Sequence, residues 1–109
     1  MFHELRIYHT FPGKLKELLK RFDIYTLDLW SRLGIKPIGF WITVIGDDNN
    51  ILYYMLEWNN LSDRQNKWDI FVNNKEWIKI RKKTEKNGLL VKKIHSQILS
   101  PIDFKTLDS

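Results

Sequence analysis

The sequence predicts an α+β domain in which helices cover one face of a four-stranded antiparallel sheet. Three observations predict this class. Four segments have the period-two alternation or the β-branched and aromatic content of strands. Longer segments between them repeat their apolar residues with helical spacing. The order of the segments is β-α-β-β-α-(α)-β, which fits one domain spanning residues 1–109.

The first strand is predicted over residues 2–9, where "HELRIYH" alternates between two rows of side chains. Pro12 then suits the first turn of a helix over residues 14–33. Gly34 is the expected residue that ends this helix. Arg21 and the neighbouring charged residues fall largely outside its apolar stripe, which consists of Leu15, Leu18, Leu19, Phe22, Leu29 and Leu33.

A hairpin is predicted next. Residues 35–46 form the second strand, with Pro37 near its start, where the missing N–H does least harm. The turn residues "DDNN" tolerate left-handed backbone conformations. The third strand follows as "ILYYMLEW", residues 51–58.

Two short helices and a last strand complete the chain. Trp68 and Phe71 are expected to face inward from the first of these helices, which has two possible capping pairs: Asn60 with Asp63, or Ser62 with Gln65. Asn73 or Asn74 can cap the second helix, over residues 75–86, and Gly88 ends it. The last strand covers residues 91–99. This order predicts a ferredoxin-like split βαβ unit.

The composition limits the classes of protein to consider. The 43% hydrophobic and 14% aromatic content excludes a disordered chain. No apolar run is long enough to span a membrane, and no signal peptide is visible. The absence of cysteine excludes thiolate chemistry and is compatible with a reducing compartment, so we expect a cytoplasmic protein. The formal net charge of +5 is modest, and lysine supplies most of the basic residues.

The second and third strands are apolar on both faces, which is unusual for an antiparallel sheet with one face in water. Covering about 500 Å² of such a face would contribute on the order of 12 kcal/mol before association costs. The expected cover is a second copy of the chain. The sequence therefore predicts a homodimer in which two sheets pack face to face as a dimeric α/β barrel.

In that barrel we expect the row Glu4, Arg6 and Tyr8 to face the interior and the Leu5/Ile7 row to lie under the helices. Arg6 could bind an anionic or carbonyl-bearing ligand as a fork, with Tyr8 as a hydroxyl donor and Glu4 orienting Arg6 or acting as a base. The predicted ligand-binding set also includes residues of the second and fourth strands: Trp41, Thr43 and His95. A purely structural Glu4–Arg6 pair remains the alternative.

Other conspicuous residues are given structural roles. His3 and His9 are about 20 Å apart along one strand and cannot share a metal ion. We predict no metal site and no cofactor. Trp30, Trp68 and Trp77 are expected to fill the core between helices and sheet. One helix face carries Lys75, Lys79, Lys82, Lys83 and Lys86; we interpret it as a solvated surface and expect neither nucleic acid nor membrane as partner.

An ordered set of short motifs along residues 3–104 resembles the NIPSNAP family: "ELRIY", "PG", "GFW", "LEWNNLSDR", "KEW" and "LSPIDF". The resemblance implies a dimeric α/β barrel of ferredoxin-like subunits, a fold shared with small monooxygenases, haem-degrading enzymes and ligand-binding proteins. The chain departs from the commoner family pattern at Asp103-Phe104-Lys105, where Phe-Ser usually follows the proline.

Three functions follow as hypotheses. The first is a homodimer that binds a small, partly apolar ligand in the barrel interior. The second is a cofactor-independent or haem-using monooxygenase-like enzyme. The third is a protein-interaction module without a pocket. A cavity of about 300 Å³ or more would favour the first two.

Overall fold

A computed structural model of the chain describes residues 1–107. Its four strands form one sheet: β1 (Phe2–Thr10), β2 (Lys36–Ile42), β3 (Ile51–Trp58) and β4 (Val91–Leu99). The strands lie side by side in the order β2-β3-β1-β4, and every neighbouring pair is antiparallel. The predicted ferredoxin-like α+β fold is confirmed.

The long helix predicted over residues 14–33 is interrupted by a π-helical segment. It consists of α1 (Leu15–Arg21), the π-helical segment (Phe22–Thr26) and α2 (Leu27–Leu33). The Thr26 hydroxyl donates to the carbonyl of Arg21, five residues earlier, at 3.3 Å. A side-chain hydrogen bond therefore spans the π-helical turn, which begins directly after Arg21.

The remaining helices are α3 (Leu61–Val72), α4 (Lys75–Thr84) and a short 3₁₀ turn, Phe104–Thr106. Asn60 caps α3, because its side chain accepts a hydrogen bond from the Asp63 N–H at 2.7 Å. Asn74 caps α4 in the same way, with the Trp77 N–H as donor at 3.0 Å. Gly34 ends α2 at φ 80°, a conformation that favours glycine.

The hydrophobic core lies between the helices and one face of the sheet. Trp30, Tyr54 and Trp58 are almost completely buried there, and Trp77 and the partly exposed Trp68 pack around them. The prediction that Trp30, Trp68 and Trp77 fill this layer is confirmed. Aromatic rings meet edge to face through much of the core, as between Trp30 and Phe71 at 5.7 Å.

The prediction for the two faces of β1 is wrong. Glu4, Arg6 and Tyr8 lie under the helices and are at least nine-tenths buried. Leu5 and Ile7 lie on the opposite, open face of the sheet and are only half-buried. An apolar row normally marks the core side of a strand, but here the polar row is buried because partners from three other elements satisfy it.

Strand β2 ends at Ile42, four residues earlier than predicted. Beyond it the hairpin loop exposes Val44 and Ile45 at 91% and 95% of their surface. Within residues 1–107, no helix has the length and apolar character needed to cross a membrane.

Candidate functional site

A cleft of about 480 Å³ lies between the sheet and the helices. Strands β1 and β4 form its floor and one side, and α1, α3 and α4 form the other. Six charged residues line it, the basic Arg6, Arg21, Arg81, Lys92 and Lys93 and the acidic Glu85. The pairing of Lys93 with His9 directs the Lys93 side chain to the open face of the sheet. Trp68, Phe71 and Trp77 supply aromatic walls.

Glu4 lies behind the cleft floor and holds it together. Its Oε1 accepts from Trp58 Nε1 at 2.9 Å and Arg64 Nε at 2.7 Å. Its Oε2 accepts from Arg6 Nη1 at 2.9 Å, Arg64 Nη2 at 3.1 Å and Ser96 Oγ at 2.5 Å. Burial by itself would raise the pKa of Glu4, but the bonds from Arg64, Ser96 and Arg6 outweigh it and lower that pKa to about 2. Glu4 is therefore a buried carboxylate with both oxygens occupied.

Arg6 is fixed on the cleft floor by three hydrogen bonds. Besides Glu4, its guanidinium donates to the hydroxyl of Tyr54 at 2.8 Å and to that of Tyr8 at 3.3 Å. It also lies 4.3 Å from the centre of the Trp68 ring. Burial disfavours its charge, but the oxygens of Tyr8, Tyr54 and Glu4 more than compensate and raise the pKa of Arg6 above its ordinary value.

Tyr8 supplies a hydroxyl at the cleft floor. Its oxygen accepts from Arg6 and from the Tyr54 hydroxyl, the latter at 2.8 Å. In residues 1–107 no acceptor takes the proton of Tyr8, which lines the cleft. Tyr54 is fully buried behind it, and burial raises the pKa of Tyr54 well above its usual value. Tyr8 can therefore offer a hydrogen bond to a bound molecule.

Arg21 is the second buried guanidinium of the cleft, with 7% of its side chain exposed. Its Nη1 donates to Thr84 Oγ1 at a long 3.4 Å and lies 3.7 Å from Glu85 Oε1, beyond hydrogen-bond distance. The guanidinium packs 5.2 Å from the centre of the Trp77 ring. Burial lowers the pKa of Arg21 below its ordinary value, although its charge is kept.

The π-helical segment lies next to this part of the cleft. Such segments inside α-helices are frequent at functional sites. Here the change of helical pitch begins at Phe22, whose buried ring packs 6.2 Å from Tyr8. Arg21, the last residue of α1, lines the cleft beside it.

The six residues predicted to bind a ligand are divided between the two faces of the sheet. Arg6 and Tyr8 line the cleft, and Glu4 holds Arg6 from behind. Pairing Tyr53 with Trp41, and Ile7 with His95, places Trp41 and His95 on the open face. The expectation that they join the Glu4 row in one chamber is wrong, because register fixes them on opposite sides.

Trp41, Thr43 and His95 have different surroundings on that open face. The Trp41 ring lies over Gly39, where an added Cβ would meet its Cη2 at 3.0 Å. Trp41 and Thr43 border a shallow hollow beside the hairpin loop. The His95 ring meets that of His9 edge to face at 5.3 Å. Residues 1–107 contain no group of three or more potential metal ligands among His, Cys, Asp and Glu.

Sequence reasoning missed Arg21 and Glu85 as cleft residues. Arg21 was placed outside the apolar stripe of its helix, although it follows Leu18 by three residues and directly precedes Phe22. That position at the edge of the stripe is the signal that could have found it. No signal in the sequence pairs Glu85 with Arg21, since they are distant in the chain.

Comparison with known proteins now gives the family. The family model described as NIPSNAP matches residues 3–105. The chain belongs to the NIPSNAP family. The resemblance to this family that the sequence motifs predict is thereby confirmed over nearly the whole chain.

Solved structures of NIPSNAP proteins share the fold. An uncharacterised NIPSNAP-like domain protein from Burkholderia xenovorans is 24% identical, with a TM-score of 0.83 over 94% of this chain and 86% of that one. A NIPSNAP family protein from Agrobacterium tumefaciens is also 24% identical, with a TM-score of 0.82 over 97% of both chains.

A more distant structure is described as a dimeric ferredoxin-like protein from an uncultured marine organism. It is 22% identical, with a TM-score of 0.60 over 94% of both chains. A search of curated proteins gave no sequence match. The family model establishes the family, and the likeness to solved structures establishes the fold.

Proposed function

We propose that this NIPSNAP protein binds a small, partly apolar molecule in the cleft between its sheet and helices. The observation that carries the proposal is a cleft of about 480 Å³ that combines Trp68, Phe71 and Trp77 with buried guanidinium groups. Ligand sites commonly have this volume and combine an apolar lining with a few fixed polar groups. The location replaces the barrel interior expected from the sequence.

The cleft floor is preorganised for binding. Arg6 is held by Glu4, Tyr8 and Tyr54, so little side-chain freedom is lost when a ligand contacts it. The hydroxyl of Tyr8 supplies a directional donor beside it. We favour ligand binding over a surface module without a pocket, because this preorganised floor lies at the base of a cleft.

The proposal is tested by a substitution that narrows the cleft and leaves its charged residues in place. Ile94 lines the cleft, is half-exposed and lies on β4 opposite Tyr8. Ile98 lies on the same face of β4, opposite Glu4, and does not line the cleft. We expect Ile94→Trp to weaken binding of the neutral fluorescent probe N-phenyl-1-naphthylamine at least tenfold, and Ile98→Trp to leave it unchanged.

The same experiment contains its refutation. If the wild-type protein does not bind the probe, or if the two variants bind it equally well, the cleft is not a binding site for apolar molecules. Native mass spectrometry of protein purified from its own organism then asks whether a natural compound is retained with it.

We also propose that the chain acts as a homodimer. The open face of the sheet carries half-buried or exposed apolar side chains on all four strands: Leu5, Ile7, Trp41, Tyr53, Met55 and Leu99. A contiguous apolar patch of this kind is typical of a protein interface. The occupant we propose is a second copy of the chain, in keeping with the dimeric ferredoxin-like neighbour.

Sedimentation velocity tests the homodimer. We expect wild-type protein at micromolar concentration to sediment with twice the mass of the chain. Ile7→Lys, at the centre of the open face, should give single subunits, and Ile98→Lys on the opposite face should not. Wild-type protein that sediments as a single subunit would rule out the dimer while leaving the cleft proposal to its own test.

A further inference from the structure

We infer that the ligand of the cleft carries an anionic group which binds Arg21, and that Glu85 occupies this position as an internal competitor. The inference rests on the proposed function, because it concerns the ligand of the same cleft. It assigns a specificity-determining role to two residues that no sequence motif marks.

The first step is the difference between the two buried guanidinium groups. Arg6 makes three hydrogen bonds of 3.3 Å or less and shares the charge of Glu4. Arg21 makes a single hydrogen bond in the described part of the chain, the 3.4 Å bond to Thr84. A guanidinium has five N–H donors. Arg21 therefore brings more unused donors and a more weakly compensated charge to the cleft than Arg6 does.

The second step is the position of Glu85. Its Oε1 lies 3.1 Å from Arg81 Nε and 3.7 Å from Arg21 Nη1, so one oxygen serves two cations. The better contact is with Arg81, a half-exposed residue at the cleft mouth. Glu85 is thus close enough to reduce the positive potential at Arg21, but it accepts no hydrogen bond from the Arg21 guanidinium.

The third step is that Glu85 lies where a carboxylate is unfavourable. It is the C-cap residue of α4, where the negative end of the helix dipole disfavours a carboxylate. The chain continues directly into a turn that contains Gly88 at φ 117°. A ligand anion would add apolar contacts with Trp77 and Phe71 to its interaction with Arg21.

The chemical class follows from these neighbours. The anion must reach Arg21, and the Trp77 ring lies directly beside that guanidinium. Lys92, on β4, is a further basic residue lining the cleft. The geometry fits an aromatic carboxylate or sulfonate whose ring packs between the aromatic walls while its charge is directed to Arg21.

Two probes with the same ring skeleton test the assignment. 8-Anilinonaphthalene-1-sulfonate differs from N-phenyl-1-naphthylamine only by its sulfonate group. We expect the wild-type protein to bind the sulfonate more tightly. Glu85→Gln should raise the affinity for the sulfonate relative to that for the neutral probe by about tenfold, the worth of one charge-assisted contact. Glu76→Gln, which removes an exposed carboxylate of the same helix, is the matched control.

Arg21→Met should have the opposite effect and lower the affinity for the sulfonate relative to that for the neutral probe. Because Arg21 is buried, its variant must first show a wild-type circular dichroism spectrum, and Glu85→Gln carries the test if it does not. The inference is overturned if Glu85→Gln leaves the affinity for the sulfonate relative to that for the neutral probe unchanged, or if both probes bind the wild-type protein equally.

The two proposals fail in different ways. If both probes bind equally and Ile94→Trp weakens both, the cleft binds ligands but Arg21 does not select an anion. If neither probe binds, or if Ile94→Trp affects neither, the proposed function itself is wrong. Only fluorescence that is sensitive to Ile94→Trp is counted as binding in the cleft.

Discussion

Replacing Glu4 by glutamine is the sharpest test of how the cleft floor is built. The carboxylate is fully buried and accepts five hydrogen bonds, two on Oε1 and three on Oε2. A glutamine amide keeps one oxygen and replaces the other with a donor. Even in the better orientation, two of the five donors lose their acceptor, and the negative charge between Arg6 and Arg64 is gone.

The magnitude follows from these losses. Each buried donor left without an acceptor costs about 1–3 kcal/mol, and removing one member of a buried ion pair costs about 3–5 kcal/mol. These figures describe the same loss and are not added. We expect Glu4→Gln to lower the free energy of unfolding at pH 7 by about 3–5 kcal/mol.

The pH dependence gives an independent estimate. The pKa of Glu4 is lowered from 4.5 to about 2 in the folded protein, a difference that corresponds to on the order of 3 kcal/mol. Because the folded pKa is the lower one, this stabilisation is present above pH 4.5 and is lost as the pH falls towards 2. The difference in the free energy of unfolding between wild type and Glu4→Gln should therefore shrink as the pH falls from 4.5 towards 2.

Urea unfolding at fixed protein concentration, followed by tryptophan fluorescence at pH 7, 4.5 and 3, measures this gap. Glu17→Gln is the control, because Glu17 is half-exposed and pairs with Lys14 across 3.5 Å at the surface; its effect should stay within about 0.5 kcal/mol. If Glu4→Gln unfolds at the wild-type urea concentration at pH 7, or if the gap stays constant down to pH 3, the account of Glu4 is refuted.

Three further substitutions test other parts of the fold by the same unfolding measurement. Gly34→Ala should cost about 1 kcal/mol, because a side chain is strained at φ 80°; a stability equal to wild type would mean that α2 ends differently. Asn60→Ala should cost about 1 kcal/mol through the lost cap of α3, whereas Asn59→Ala, which keeps the Asn59 backbone N–H bond to Asp63, should cost much less. Trp58→Phe removes the indole donor to Glu4 and should cost about 1–3 kcal/mol; a smaller loss would show that Glu4 does not need this bond.

The fold could be predicted from the sequence because its signals are local. The helix over residues 14–33 has its apolar stripe and Gly34, and the hairpin has turn residues between two apolar segments. The π-helical segment was not foreseen, since the apolar stripe continues through it and only the structure shows the Thr26 hydroxyl bonded to the carbonyl of Arg21. The chosen caps, Asn60 and Asn74, each belonged to a pair of open alternatives that only the backbone geometry could separate.

The candidate site was half predictable. Arg6 and Tyr8 were identified because the alternation of β1 puts them in one row with Glu4, which was expected to face the barrel interior. Their side of the sheet could not be deduced, because both rows of β1 are covered or partly covered and polarity alone no longer indicates the core. The long-range partners decide it: Arg64 and Trp58 lie more than 50 residues from Glu4 and together bury its charge.

The alternation along β1 has a consequence for how this protein can respond to its surroundings. Arg6 and Tyr8, of its even-numbered row, line the cleft floor, and its odd-numbered residues lie on the open face that we propose a second copy covers. A molecule bound in the cleft that restrains the backbone of β1 restrains the same backbone on the open face. If such coupling exists, thermodynamic reciprocity requires that assembly and uptake strengthen each other by the same factor, so the apparent affinity would rise with protein concentration.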